Sequence, residues 1–103
     1  MDHNNRPDHT SLLGLPDREL RLMAGEATHQ HYKGGLYRLL GPCRDAMTGE
    51  ALAYRANLEP VVIYEHCYPH ERKLWARSER EFHEEVEWAD GQRRPRFRPL
   101  GTS

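Results

Sequence analysis

Apolar residues are sparse at the start of this chain and then fall into short, regularly spaced runs. Residues 1–11, MDHNNRPDHTS, are polar, aperiodic and interrupted by a proline, the pattern of an unanchored arm. A disordered arm is therefore expected over residues 1–12. LLGLPDRELRLM follows, in which Leu20 with Met23 or Ala24 makes a short apolar stripe at helical spacing. Pro16 and Asp17 suit a first helical turn, and Gly25 suits a stop. The pattern predicts at most two or three turns of helix, stable only when docked, in a helix-and-linker segment over 13–28.

From Gly34 onward the period shifts to that of strands. LYRLL reads as a strand ending at Gly41-Pro42. Thr48-Gly49 signals a turn, after which ALAYRA and PVVIYEHCY both read as strands. The second has the β-branched and aromatic residues that strands favour. In it Val62, Tyr64 and His66 alternate with Val61, Ile63 and Glu65, leaving one face more apolar than the other. KLWAR is a further short strand beyond the Pro69-His70 turn. SEREFHEEVEW predicts one helical turn, with Ser78 as N-cap and Glu81 as its capping-box partner, passing into a strand at EEVEW. Asp90-Gly91 is a hairpin signal, and Pro95 and Pro99 confine the returning RRPRFRPL to an edge or a bulge. Four or five short strands at this spacing predict a mainly β fold. It would be a small SH3-like open barrel or a twisted antiparallel sheet, with one or two short helical pieces. A β-barrel domain is expected over residues 29–100, with 101–103 as a tail, and no internal repeat is apparent.

Composition narrows the function classes. A chain of 103 residues holds one domain, and 37% hydrophobic content implies a compact core with polar tails. A formal net charge of -1 argues against a general attraction to nucleic acid or an anionic membrane. Seven histidines would make the chain distinctly more positive toward about pH 6. No apolar run approaches the roughly 18 residues of a membrane span, and the polar start has no hydrophobic signal segment. A cytoplasmic protein is expected, in which Cys43 and Cys67 read as free thiols rather than a disulfide.

Charge is split along the C-terminal hairpin. Residues 79–90 carry six acids against Arg80, whereas residues 91–103 carry Arg93, Arg94, Arg96 and Arg98 and no acid. Either the arginines are answered by their hairpin partners, each pair stabilising by about 0.2–1 kcal/mol, or they form a nucleic-acid-binding patch.

Candidates for catalysis and metal binding are weak. His29 and His31 stand two apart and would share one strand face, and His66, Cys67 and His70 offer further N and S donors. Neither group has the C-x-x-C or H-E-x-x-H spacing of a metal site, so surface or turn histidines are expected, with no metal and no cofactor. Cys43 follows Gly-Pro in a turn, and Cys67 lies in an apolar strand, where a thiol behaves as a small hydrophobe. His66 would face away from its neighbour Cys67. No catalytic residue is assigned, and KGG lacks the spacing of a phosphate loop. What remains suits holding something. Tyr32, Tyr37, Tyr64, Trp75 and Phe82 offer flat apolar surfaces, and Lys33 and Arg77 offer fixed positive donors. Trp75 and Phe82 also fit a plain core role.

HYKGGLYRLLG, VVIYE, LWARSEREF and PRFRPL together resemble the bacterial and phage family known as domain of unknown function 1653. Its pattern runs H-Y-K-G-x-x-Y-x-V-L-G, a V-V-Y-x strand, L-W-V-R-P with a Phe a few places on, and a closing P-R-F. The resemblance covers about residues 29–100. The family's recurrent positions fall on His31, Tyr32, Lys33, Gly34 and Tyr37, then on Tyr64, on Trp75, Arg77 and Phe82, and on Arg96 and Phe97. Two departures matter. Ser78 stands where the family has Pro, and MTGEALAYRANLEP is longer than the usual link, leaving open whether ALAYR or VVIYE is the central strand. The resemblance implies a small all-β, SH3-like domain whose mouth is lined by His31, Tyr32 and Lys33, and it implies no activity.

The leading reading is a non-catalytic binding module. It would hold an anionic or planar small ligand or peptide against His31, Tyr32, Lys33, Tyr37, Tyr64, Trp75 and Arg77. A nucleic-acid-associated module using Arg93, Arg94, Arg96 and Arg98 comes second. A small metal-dependent or hydrolytic enzyme ranks third.

Overall fold

The helix forms where the stripe predicts it, as α1 (Asp17–Met23), in a computed structural model that describes residues 9–54 and 57–101. Pro16 leads into it in an extended conformation. Asp17 and Glu19 in its first turn and Arg21 in its last lie the right way round for the helix dipole. Seven residues are too few for a stable isolated helix. Docking through Leu20, which is fully buried, and through Ala24 supplies the rest. His9–Leu12 form a 3-10 turn, and Leu12 is buried in the same apolar cluster as Leu20, because that one leucine gives the polar segment an anchor. Residues 1–8 of the expected arm lie outside the described residues.

β1 (His29–His31) and β2 (Leu36–Pro42) make a hairpin around Tyr32-Lys33-Gly34-Gly35. The Gly34 N–H donates to the His31 carbonyl at 2.8 Å with φ at +111°, a conformation that favours glycine. β3 (Val61–Tyr68) pairs with β4 (Leu74–Ser78), and α2 (Glu79–His83) follows. Its N-cap is Ser78, as predicted, whose hydroxyl accepts the Glu81 N–H at 3.1 Å. β5 (Glu85–Glu87) and β6 (Arg93–Pro95) form a separate two-stranded ribbon around Asp90-Gly91, and β7 (Phe97–Pro99) rejoins the main sheet. The main sheet is antiparallel with strand order β4-β3-β2-β1-β7. Pro95 in the ribbon and Pro99 on an edge strand sit where a missing N–H is tolerated.

The mainly β expectation holds, and of its two alternatives the fold is the twisted antiparallel sheet, open rather than closed into a barrel. One expectation changes. Residues 51–54 of ALAYRA form no strand: Ala51 and Ala53 make only isolated bridges, to Arg44 and Pro60, and residues 55 and 56 lie outside the described residues. Residues 51–54 are all exposed, so no buried face holds them in a ladder. VVIYE, in contrast, lies within β3.

Although open, the sheet is strongly coiled. Tyr64 on β3 and Phe97 on β7 are separated by three strand spacings, about 14 Å in a flat sheet, yet their ring centroids are 5.1 Å apart. β2 carries two register shifts, at Leu36/Tyr37 and Leu39/Gly41, the kind of irregularity that bends and twists a strand. The coil gives the sheet two distinct faces. On the inner face Val62, Tyr64, Phe82 and Phe97 form a cluster against Tyr37 and Leu39. On the outer face Leu36 and Leu100 pack with Leu12, Leu20, Ala24 and Ala27. Phe82 stacks on Phe97 at 4.3 Å, and full burial of a Phe side chain stabilises by about 1.5–3 kcal/mol. Among the described residues no helix is long and apolar enough to cross a membrane.

Candidate functional site

The inner face gathers most of the aromatic candidates. The His31 ring lies 4.6 Å from Tyr32, 6.0 Å from Tyr37 and 4.8 Å from Phe97. Tyr37 stacks on His66 at 4.7 Å and meets Tyr64 at 5.6 Å. Strand register brings them together: Tyr37 opposes His66, Tyr64 opposes Trp75, and Val62 opposes Arg77. Opposed residues point to the same face, so Trp75 and Arg77 rise from β4 beside this cluster. Arg77 Nε donates to the Tyr64 hydroxyl at 3.3 Å, and its guanidinium carbon lies 6.0 Å from the centre of the Phe97 ring.

Burial divides these residues into a floor and a rim. Tyr64 and His66 are buried with Phe82 and Phe97, so Tyr64 supports Arg77 from below. His31, Tyr32, Tyr37 and Arg77 are half-buried, and Lys33 is exposed. Phe82 is core, as the plain reading expects. Trp75 is not: it is 49% exposed. β4 is a sheet edge, and it is the opposing Tyr64 that meets Phe82, at 5.3 Å. The Lys33 ammonium lies 5.7 Å from the Tyr32 ring. A chain of rings, Tyr32 to His31 to Phe97, runs from it toward Arg77.

Within this face, burial pushes the imidazoles of His29 and His66 below their ordinary range, with His83 and His70 respectively adding to the effect. Burial, and then Tyr64, pushes the Tyr37 phenol up, so it keeps its proton at neutral pH. Arg77 is thus held beside rings of which His29, His66 and Tyr37 favour their neutral forms. Among the described residues no carboxylate lies within ion-pair distance of it. Four other half-buried arginines do have one: Arg38 pairs with Glu65 at 3.1 Å, Arg94 with Asp90 at 2.7 Å, Arg96 with Glu84 at 2.8 Å and Arg98 with Asp17 at 2.7 Å, whereas Arg21 donates to the Leu100 carbonyl.

Those pairs account for most of the arginine run. Arg94 grips Asp90 with two N–H groups, and Arg96 donates to both Glu84 and the Glu81 carbonyl. Arg93 donates to the Glu85 carbonyl at 2.9 Å. Partners near in the hairpin thus answer Arg93, Arg94 and Arg96. Arg98 reaches instead across the outer face to Asp17 of α1 and to the side-chain amide oxygen of Gln30. Nothing in the local sequence signals a contact between residues 81 apart. Gln30 is also a residue that sequence reasoning missed. It is buried, donating to the Leu12 and Gly34 carbonyls, and its place between two histidines of one strand face marks it as facing the other way. Trp88 is buried as well, its indole N–H donating to the Pro95 carbonyl at 3.1 Å.

Among the described residues no group of three His, Cys, Asp or Glu side chains is placed to hold a metal ion. Cys43 and Cys67 are separate thiols. Burial, then Glu65, pushes the Cys67 thiol up, away from the thiolate that nucleophilic chemistry needs.

No curated protein and no solved structure matches the chain. One family does match, described as "Protein of unknown function (DUF1653)", over residues 27–99. That span runs from β1 to β7 and includes His31, Tyr32, Lys33, Tyr37, Tyr64, Trp75 and Arg77, while α1 lies before it. With most of its length matched, and with the aromatic face inside the match, the chain belongs to the DUF1653 family.

Proposed function

We propose that this chain is a non-catalytic binding module that holds a small planar anion at Arg77 and the rim around it. The observation that carries the reading is the setting of Arg77. A half-buried guanidinium usually has an acidic partner, and this one is held by a phenol and a ring while its terminal N–H groups stay available. Such a fork matches a carboxylate or phosphate in two parallel hydrogen bonds. Trp75, two places back on the same strand face, offers a half-exposed indole on which a flat ligand stacks. Burial keeps His29 and His66 toward their neutral forms, so these two add little positive charge at neutral pH. A nucleic-acid role for Arg93, Arg94, Arg96 and Arg98 has less support, because three of those charges are already paired.

Indole-3-carboxylate serves as a probe, with indole-3-carboxamide as the neutral control. The carboxylate is expected to bind saturably, and Arg77→Ala to weaken it by about 1.5–3 kcal/mol, the scale of a charge-assisted hydrogen bond. Arg77→Lys should recover only part, because the planar fork is lost. Melting temperature is measured in parallel. Equal binding of acid and amide, or a lower melting temperature with unchanged binding, would make Arg77 a structural residue and refute the reading.

A further inference from the structure

A cavity on the outer side of the sheet lies apart from the Arg77 rim. Its volume is about 600 Å³, within the range of small-molecule sites. It opens where the turn before α1 meets the β5–β6 ribbon, with Leu13 and Leu15 on one side, Trp88 and Ala89 on the other, and Gln30 and Arg98 from the sheet. Its two arginines differ from Arg77 in kind. Arg98 is clamped to Asp17 at 2.7 and 3.3 Å, and Arg94 to Asp90 at 3.0 and 2.7 Å. Arg98 holds the Asp17 carboxyl below its ordinary value, and Arg94 holds that of Asp90 down at about 2. Both pairs therefore stay ionised at neutral pH. A charged ligand of either sign would meet a like charge as close as its partner.

The pairs do not exhaust their hydrogen-bonding capacity. A guanidinium has five N–H donors, of which Arg94 uses two on Asp90, and Arg98 uses three on Asp17 and Gln30. Each carboxylate accepts two N–H groups from its arginine and one from the backbone, Gly101 for Asp17 and Gln92 for Asp90, which leaves roughly one of its four lone-pair sites. The Arg94 guanidinium also lies over the Trp88 ring at 5.7 Å, so one wall is built of planar groups.

We propose that this cavity binds a neutral, flat molecule with an amide or lactam edge, the chemistry of a free nucleobase. Such an edge carries donor and acceptor side by side. Those meet the residual acceptors of the aspartates and donors of the arginines, while the ring lies between the planar wall and the two leucines.

Uracil and its 6-carboxylate, orotate, share one ring and differ in charge, which makes them matched probes. Titration of the full chain is expected to show saturable uracil binding, with orotate weaker by at least about tenfold because its carboxylate faces Asp17 and Asp90. Ala89 is exposed on the cavity wall, so Ala89→Trp fills the space from outside the core. That variant should lose uracil binding while keeping its melting temperature. Asp90→Asn leaves the Arg94 charge unanswered and should reverse the order, with orotate binding more tightly than uracil. Arg77→Ala should leave uracil binding unchanged, which separates this cavity from the rim. The proposal is overturned by absence of saturable uracil binding, by orotate binding the native chain as tightly as uracil, or by failure of Asp90→Asn to favour orotate.

Discussion

Arg77 and Arg98 stand on opposite faces of one coiled sheet, and their neighbours answer them differently. Arg98 is met by a carboxylate, a carboxamide and, through Asp17, the backbone N–H of Gly101. Arg77 is met by a phenol and the face of a ring. The first charge is neutralised within the fold, so its cost of burial is offset and its role is to tie elements together. The second keeps donors in reserve, which is the condition of a group that meets something from outside.

Packing offers the largest test of that contrast, because it asks whether the inner face is a core before it is a site. Phe82→Ala should cost about 3–5 kcal/mol, comparable to the 2–5 kcal/mol expected of Leu20→Ala on the outer face. Urea unfolding measures both. A cost for Phe82→Ala far below that of Leu20→Ala would show a face too loose to position Arg77. Next in size, Arg98→Ala should cost about 2 kcal/mol, since it strands Asp17 and the Gln30 oxygen in a site only about a quarter exposed. Arg77→Ala, which strands only a phenol, should cost less than about 1 kcal/mol. The reverse order would erase the distinction. Ser78→Ala should then cost about 1 kcal/mol by removing the cap that sets α2, and with it Phe82, over the inner face.

The shallowest effect is with pH, and it separates the faces by where each fails. His29 and His66 have folded values lowered by burial from an ordinary 6.5. Below that value the unfolded chain binds protons that the folded chain resists. The stability they support is complete above about pH 6.5 and declines as pH falls from there toward their folded values. Asp17 is lowered from 3.8, chiefly by its bond from Arg98. Its contribution is present above about pH 3.8 and is lost only as pH falls through its folded value. Melting temperature followed from pH 7 to 3 should show the inner-face loss first, and Asp17→Asn should shrink the later one, leaving the share of Asp90, and spare the first. A single step that Asp17→Asn abolishes throughout would contradict the assignment.

Local signals in the sequence reached the elements, and distant ones escaped. The Ser78 cap, the Asp90-Gly91 turn, the short helix and the alternation in β3 each depend on residues within a few places of one another. The coil of the sheet does not. It depends on how β2 bends between two partners, and it decides which aromatic residues are covered. Trp75 and Trp88 both lie at or just beyond short strand-like runs, yet one is half exposed and the other buried, because one stands on a sheet edge and the other is bonded back to Pro95. The same holds for charge. That Trp75 and Arg77 share a face was legible from their spacing of two. That Arg77 forms no ion pair was not, since Glu81 stands four residues on; its carboxylate acts on Arg77 through space but lies nearest Arg80, at 3.9 Å.

The order of the sheet carries a consequence for synthesis. β1 lies between β2 and β7, so a strand made early waits for one made about 65 residues later to complete its ladder. Phe97, which stacks on Phe82 and lies under Arg77, arrives on that same strand. While β7 is still within the ribosome, β1 to β4 can pair, but the aromatic face stays uncovered at Phe82 and the β1 edge stays open. Such an edge is a template for pairing with another chain. The nascent protein is thus exposed to misassembly until β7 emerges, and the strand that ends this exposure also builds the floor beneath Arg77.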